Sequence, residues 1–310
     1  MQTLIIDRKG SRLSLRDGRL RIELPDGERT QHIPLTMIER VVVTAGVDLH
    51  TALLGALAEA GVSLLILSPR DHRRIAIVTP PHGRDHAVRL AQYRAAVDPE
   101  RCVRIAAVVV RMKLLAQCRN LRRLARRPAP VREALRTLPE LARRLRDPSD
   151  MTLGQVRGLE GGGAACYFAA LAAALPESLG FTGRNRRPPT DPLNALLSLG
   201  YTLLHFDAVR ALLAAGFDPC IGFLHSAEYS RESLACDLIE PLRPAVDRFA
   251  LDCFHRRLLR PEHFVVQQGA CRMGKAARRA FYIAWEEFAP VPRRALRRAI
   301  PILRREGIGC

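Results

Sequence analysis

Apolar residues in roughly the first 80 positions form short runs and alternations that are typical of β-strands. Two alternating segments flank Asp17-Gly18, a dipeptide that favours a hairpin turn. The predicted strands are Thr3–Ile6, Arg12–Leu15, Arg19–Leu24, Ile38–Thr44, Val62–Leu67 and Arg74–Val78. One helix is predicted between them at Thr51–Ala60, with Gly61 as its C-terminal stop.

From position 85 onward the apolar spacing is helical almost throughout. The predicted helices are Asp85–Ala96, Glu100–Ala125, Val131–Arg146, Met151–Leu159, Ala164–Leu175, Pro192–Ala215, Glu228–Phe254, Ala276–Phe288 and Pro292–Arg304. Pro80, Pro81 and Gly83 separate the two patterns and predict a hinge. The fold class is therefore α+β, with a β-rich domain at 1–78, a hinge at 79–84 and an all-α domain at 85–310.

The charge is distributed unevenly between these two parts. The chain has 310 residues and a formal net charge of +18. Residues 1–83 include 11 basic and 9 acidic residues, which gives a net charge of +2. Residues 84–310 include 38 basic and 22 acidic residues, which gives a net charge of +16. Such a balance predicts a polyanionic partner that binds mainly to the second part.

Membrane insertion, secretion and disulfide bonding are not expected. The longest nearly uninterrupted apolar stretch, Ala164–Leu175, is much shorter than a span of about 20 residues, and no secretory signal opens the chain. The eight cysteines include no Cys-x-x-Cys pair, which favours reduced, mostly buried thiols over a zinc site. We therefore expect an intracellular protein, located in the cytoplasm and not bound to a membrane.

The segment 222–244 carries the most informative polar residues. Asp237 and Glu240 are three positions apart, so a helix places both carboxylates on one face, and His225 precedes that helix at a turn. Carboxylates and a neutral imidazole can together hold a divalent cation. The alternative is that the two acids pair with Arg243 or Arg231 on a solvated helix face.

Glu160 stands at the predicted start of an alanine-rich helix. A carboxylate there is favoured by the helix dipole, which is a purely structural explanation. A carboxylate beside buried residues also needs a partner, and a metal ion is one. The three glycines after Glu160 do not form a phosphate-binding loop, since no Gly-Lys-Ser/Thr follows and no strand precedes them.

Three arginines, Arg184, Arg186 and Arg187, lie in a loop before the helix that Asp191 and Pro192 open. Asp191 is predicted as the N-cap, with proline at the first helical position. The arginines either meet phosphate groups or belong to a solvated loop.

Together these segments resemble the Cas-one family, the CRISPR-associated spacer-integration endonucleases of prokaryotic adaptive immunity. The pattern Glu-Gly-x-x-Ala-x-x-Tyr-Phe is met at 160–168, and Arg-Arg-Pro-Pro-x-Asp-Pro-x-Asn-Ala-Leu-Leu-Ser-x-Gly-Tyr at 186–201. Asp-Pro-x-x-Gly-Phe-Leu-His is met at 218–225, and Ser-Leu-Ala-x-Asp-Leu-x-Glu-Pro-x-Arg-Pro at 233–244. The order and spacing of these motifs are specific, and the resemblance covers essentially the whole chain.

The resemblance implies a β domain that forms a homodimer and an α-helical domain that binds DNA and carries out catalysis. It implies that Glu160, His225 and Glu240 bind Mg²⁺ or Mn²⁺, that Asp237 is a further acid of the catalytic site, and that Arg243 faces the reacting phosphate. Many relatives have Asp at the position of Glu240, a mild departure. Double-stranded and branched DNA, and a small second CRISPR-associated protein of the adaptation module, are the implied partners.

The implied reaction is phosphodiester transfer, with water as nucleophile in a nuclease and a DNA 3′-hydroxyl in an integrase. The biological role would be insertion of short DNA fragments into a CRISPR array. Two alternatives are a non-catalytic basic DNA-binding scaffold and an integrase of a related mobile element. The intact set of Glu160, His225, Asp237 and Glu240 favours the catalytic interpretation over the scaffold.

Overall fold

A computed structural model of the chain describes residues 2–25, 27, 30–68, 74–79, 86–185, 188–225 and 232–309. The chain divides into two compact units, Met1–Gly83 and Arg84–Cys310. Most of the predicted hinge, residues 80–84, lies outside the described residues. The mixed α+β class that the sequence predicts is confirmed by the elements of the two units.

The described residues of the first unit form two four-stranded sheets, one α-helix and one short 3₁₀ helix at Leu35–Met37. The first sheet has the strand order β1-β5-β7-β8, with parallel β1–β5 and β5–β7 pairs and an antiparallel β7–β8 pair. The second sheet has the order β4-β3-β2-β6. The strands are β1 Gln2–Ile6, β2 Arg12–Arg16, β3 Arg19–Glu23, β4 Thr30–Pro34, β5 Ile38–Val43, β6 Asp48–Leu49, β7 Ser63–Leu67 and β8 Arg74–Val78.

A hairpin and an apolar core stabilise this unit. Asp17 and Gly18 both have positive φ, as expected of the tight turn between β2 and β3. Helix α1 (Thr51–Glu59) buries Leu53 and Leu57 in a core that both sheets share. Strand β4 was not predicted, because its sequence Thr-Gln-His-Ile-Pro is polar and it lies exposed at a sheet edge.

The second unit is built from nine helices and one hairpin among its described residues. The helices are α2 His86–Ala96, α3 Pro99–Arg122, α4 Ala129–Arg144, α5 Leu153–Ala174, α6 Pro192–Ala214, α7 Ser233–Ile239, α8 Arg243–His255, α9 Lys275–Phe288 and α10 Pro290–Ile302. The hairpin pairs β9 (Phe264–Gln267) with β10 (Ala270–Met273) and was not predicted. A single short hairpin leaves the unit overwhelmingly helical.

Helix α5 corrects the expectation that Glu160 begins a helix. The helix runs without interruption through the three glycines, and Thr152 caps it eight residues before Glu160. The dipole explanation for Glu160 is therefore wrong, because the dipole acts only within the first turn. Packing favours glycine at position 163, since a Cβ there would overlap a methyl group of the buried Leu114 on α3.

The long helix predicted at 228–254 is divided in two. A single 3₁₀ turn at Glu240–Leu242 separates α7 from α8. Pro241 and Pro244 explain the break, because proline lacks the N–H that continues the α-helical pattern. Helix α6 alone among the described helices is long and apolar enough to cross a membrane, but 67% of its most apolar window is buried within the structure, as in a core helix.

Candidate active site

Four elements of the second unit carry the predicted site residues, which are in contact in two pairs: Glu160 with Glu240 through a lysine, and His225 with Asp237. Glu160 comes from the middle of α5, and Asp237 and Glu240 come from the end of α7 and the 3₁₀ turn that follows. His225 lies in the loop before α7. Helix α3 contributes Lys113, a residue that no motif of the sequence indicated.

Lys113 connects the two predicted glutamate ligands. Its Nζ donates a hydrogen bond to Glu240 Oε2 at 2.6 Å and another to Glu160 Oε1. The lysine is only 6% exposed and Glu240 only 4%. Two carboxylates from separate helices thus converge on one positively charged atom inside the protein.

Asp237 holds His225 and the loop that carries it. Its Oδ2 accepts the N–H groups of Phe223 at 2.6 Å and Leu224 at 2.9 Å, and its Oδ1 accepts the N–H of His225 at 3.1 Å. His225 Nδ1 lies 2.6 Å from the same Oδ1. Because a carboxylate only accepts, Nδ1 carries the proton, and Nε2 is the ring nitrogen that can bind a metal ion.

Gly222 permits this close packing of the loop against α7. A Cβ at this position would lie 2.8 Å from Asp237 Oδ2 and 2.8 Å from the carbonyl carbon of Ser233. Any larger residue would push the loop away from the carboxylate that fixes His225. The motif Gly-Phe-Leu-His therefore has a physical reason in the approach of its backbone to Asp237.

Glu240 is held in its ionised form by two cations. Burial alone would raise its pKa, but the charges of Arg243 and Lys113 outweigh burial and lower the pKa to about 2. Arg243 Nε donates to Glu240 Oε1 at 2.8 Å. The predicted alternative of pairing with Arg243 is thus correct for Glu240, but the solvated face it assumed is wrong, because Glu240 is buried. Arg231 lies outside the described residues.

Arginines 184 and 243 stack on one aromatic ring. The guanidinium carbon of Arg243 lies 4.6 Å from the ring centroid of Tyr201, and that of Arg184 lies 5.4 Å from it. Arg184 also donates to Asn194 Oδ1 at 2.7 Å and to Ser198 Oγ at 3.1 Å. The side chain of Arg184 is therefore committed to internal bonds, and its role in DNA binding stays a prediction.

Three other predicted residues of this segment, Arg186, Arg187 and Asp191, have different outcomes. Arg186 and Arg187 lie outside the described residues, so their predicted contact with DNA stays a prediction. The N-cap prediction at Asp191 is confirmed, because its side chain accepts the N–H of Asn194 at 2.8 Å. Seven cysteines of the described chain are free, and four of them, Cys102, Cys118, Cys253 and Cys271, are buried.

Tyr167 of the Glu-Gly-x-x-Ala-x-x-Tyr-Phe pattern has a structural role beneath the site. It is fully buried on α5, and Asn120 Nδ2 lies 3.1 Å from its hydroxyl oxygen. The same Asn120 amide donates to the carbonyl oxygen of Pro244 at 2.6 Å. These bonds join α3 and α5 to the start of α8, directly after the turn that carries Glu240.

The donor chemistry suits a hard divalent ion. Glu160 and Glu240 supply carboxylate oxygens, and His225 supplies an imidazole nitrogen oriented by Asp237. Among the described residues no three His, Cys, Asp or Glu side chains are grouped so that they could hold a metal ion. The carboxylates of Glu160 and Glu240 nevertheless both contact one atom, Nζ of Lys113, so two of the oxygen donors that a metal ion would need face the same point.

The convergence of Glu160 and Glu240 within a helical unit of net charge +16 is consistent with a protein that acts on a polyanion such as nucleic acid. Residues 4–287 match the family model described as CRISPR associated protein Cas1. The chain belongs to this family.

Curated relatives agree with this assignment. A protein of Thermodesulfovibrio yellowstonii named CRISPR-associated endonuclease Cas1 1 is 32% identical over 293 residues, which cover 93% of this chain and 91% of the relative. A protein of Thermus thermophilus named CRISPR-associated endonuclease Cas1 3 is 37% identical over 255 residues, covering 82% of this chain and 74% of the relative. Both are similar along most of their length.

Solved structures share the fold. A CAS1 protein from Thermotoga maritima has a TM-score of 0.86 and 21% identity, and the match covers 99% of this chain and 97% of that chain. A casposase bound to its integration product has a TM-score of 0.84 and 22% identity, covering 99% of this chain and 91% of that chain. The predicted combination of a β-rich and a helical part is the fold of this family.

Proposed function

We propose that this protein is a divalent-metal-dependent DNA endonuclease and integrase of CRISPR adaptation. One observation carries the proposal. The carboxylates of Glu160 on α5 and Glu240 in the 3₁₀ turn after α7 converge within a basic helical unit. His225, which Asp237 holds by hydrogen bonds, lies in the loop before α7. Such a set of oxygen and nitrogen donors is suited to phosphodiester chemistry at neutral pH.

Three residues would hold the metal ion, namely Glu160, Glu240 and His225 through Nε2. Bound Mg²⁺ or Mn²⁺ would neutralise charge on the phosphate and lower the pKa of a water or hydroxyl nucleophile. Asp237 keeps the proton on His225 Nδ1 and prevents the ring from turning. The negative charge of Glu240 is preserved at neutral pH by Arg243 and Lys113.

Arg243 is the residue that we expect beside the reacting phosphate. Its Nε is used by Glu240, and the ring of Tyr201 supports its guanidinium plane. A guanidinium held in this way presents its terminal nitrogens in a fixed direction, which suits contact with phosphate oxygens. Cleavage and strand joining would use the same residues and differ only in whether water or a DNA 3′-hydroxyl attacks.

DNA and a second CRISPR-associated protein are the proposed partners. The net charge of +16 on residues 84–310 supports a DNA contact that weakens with salt. Solved structures with this fold include one named TtCas1-DNA complex, with 21% identity and a TM-score of 0.60, and one named Cas6-RT-Cas1–Cas2 complex, with 23% identity and a TM-score of 0.85. A homodimer formed through the near-neutral β-rich unit is part of the same proposal.

A mobile-element integrase is the second candidate function, and one observation favours it. The casposase that shares this fold was solved with its integration product. The two candidates predict the same chemistry and differ in the DNA that receives the insertion. Strand transfer into CRISPR repeat DNA, compared with an unrelated target, distinguishes them.

The experiment incubates the purified chain with branched DNA and Mn²⁺ and follows strand cleavage and strand joining. We expect Glu160→Gln and His225→Ala each to lower the rate by about a hundredfold or more, since ligands and their partners have effects of this order. Glu133→Gln is the matched control, because Glu133 is exposed on α4. Full activity in Glu160→Gln would refute the site, and a chain without activity under any of these conditions would favour the scaffold.

A further inference from the structure

Lys113 is unusual for this chain in both type and place. Only three of the 49 basic residues are lysines, at positions 9, 113 and 275. Lys113 lies on the buried side of α3 among apolar neighbours such as Val110 and Leu114, and it is 6% exposed. A buried ammonium is costly unless it is paired, so its position depends on the two carboxylates that it contacts.

The shape of the ammonium explains why it suits this position. An ammonium is a compact charge with three donors, so one nitrogen can bridge carboxylates that arrive from different directions. A guanidinium is a wide planar fork that is best suited to a single carboxylate or phosphate group, and Arg243 donates its Nε to Glu240. In size and charge, the ammonium of Lys113 between Glu160 and Glu240 is therefore closer to a small metal cation than the guanidinium of an arginine would be.

The same two carboxylates are the proposed ligands of the divalent ion. A cation that binds both of them must take the space and the charge partners that Nζ now has. We propose that Lys113 is a positioning residue whose ammonium stands in for the divalent ion, holding Glu160 and Glu240 together until the ion displaces it. This inference rests on the proposed function, because it requires that the ion bind these two carboxylates.

The arrangement has a consequence that an ordinary structural lysine would not have. Without an ion, loss of the ammonium leaves the buried carboxylate of Glu240 facing the carboxylate of Glu160, which is 26% exposed, so the protein becomes less stable. With an ion, loss of the ammonium removes its competitor and a repelling charge, so binding becomes tighter. Stability without metal and affinity for metal therefore change in opposite directions.

The experiment measures Mn²⁺ binding by electron paramagnetic resonance and thermal unfolding with and without Mn²⁺, on the full chain. We expect Lys113→Met to lower the unfolding temperature without metal and to tighten Mn²⁺ binding by about tenfold, which corresponds to about 1.4 kcal/mol. Lys113→Gln, which keeps donors but no charge, serves if the methionine variant does not fold. Lys275→Met is the matched control, because Lys275 is exposed at the start of α9.

Unchanged or weaker Mn²⁺ binding in both Lys113 variants would overturn the inference while leaving the proposed metal site intact. Glu160→Gln separates the two claims. If that variant binds Mn²⁺ as the unaltered chain does, the ion does not use these carboxylates, and the proposed function fails together with the role of Lys113.

Discussion

The bond network around Asp237 predicts that Asp237→Asn disables the site without changing its size. The carboxylate accepts hydrogens on both oxygens, two from the N–H groups of Phe223 and Leu224 and two from His225. An amide has only one acceptor oxygen. Whichever way it turns, its NH₂ group meets two donors, so two hydrogen bonds are lost.

Bonds to a charged acceptor contribute about 1.5 kcal/mol or more each, so the loss is about 3 kcal/mol. In a domain of this size that shift corresponds to a fall of about 6–12 °C in unfolding temperature. Because His225 also loses its orienting partner, we expect the rate of DNA cleavage to fall by about 10–100-fold or more.

Thermal unfolding followed by circular dichroism and cleavage of branched DNA with Mn²⁺ together test this prediction. Asp150→Asn is the control, since Asp150 is exposed before α5 and the same change there should alter neither quantity. An Asp237→Asn protein with an unaltered unfolding temperature and a rate within twofold of the original would refute the reasoning.

Two further predictions concern packing and pH. Gly163→Ala should destabilise the protein by about 1–3 kcal/mol, because the new methyl group overlaps Leu114. Gly161→Ala on the same helix places its methyl group in open space and should stabilise the protein by up to about 1 kcal/mol. Denaturant unfolding measures both changes. The pKa of Glu240 is about 2 in the folded protein, compared with an ordinary value of 4.5. The ionised carboxylate therefore stabilises the folded state above about pH 5, and this stabilisation is lost as the pH falls towards about 2. In Glu240→Gln, the free energy of unfolding should therefore depend less on pH between about pH 5 and about pH 2. An unchanged dependence in this range would contradict the lowered pKa of Glu240.

The elements that follow a clear local pattern were predictable from the sequence. The hairpin around Asp17-Gly18 and the start of α6 at Asp191 both depend on side chains or backbone angles of adjacent residues. The continuity of α5 was not predictable, because three consecutive glycines normally weaken a helix. The close approach of Leu114 on α3 leaves little room for a side chain at position 163, which no local pattern of the sequence indicates.

The sequence indicated the acidic residues and the histidine of the candidate site, but it did not indicate Lys113. Motif resemblance indicated Glu160, His225, Asp237 and Glu240, but no local pattern distinguishes ligands from the residue that orients them. Asp237 is seen to orient His225 only from the hydrogen bonds of the folded loop. Lys113 is far from these residues in the chain, and its single clue was a charged residue on an apolar stripe.

The central claim is that Glu160, Glu240 and His225 support metal-dependent transfer of DNA strands. Its most direct test is the rate at which a DNA 3′-hydroxyl end is joined into plasmid DNA, measured with a chelator and then with rising Mn²⁺. We expect no joining in the chelator, a rate that rises to saturation with Mn²⁺, and no such rise in Glu160→Gln. Equal rates with the chelator and with Mn²⁺, or an unaltered response in Glu160→Gln, would contradict it.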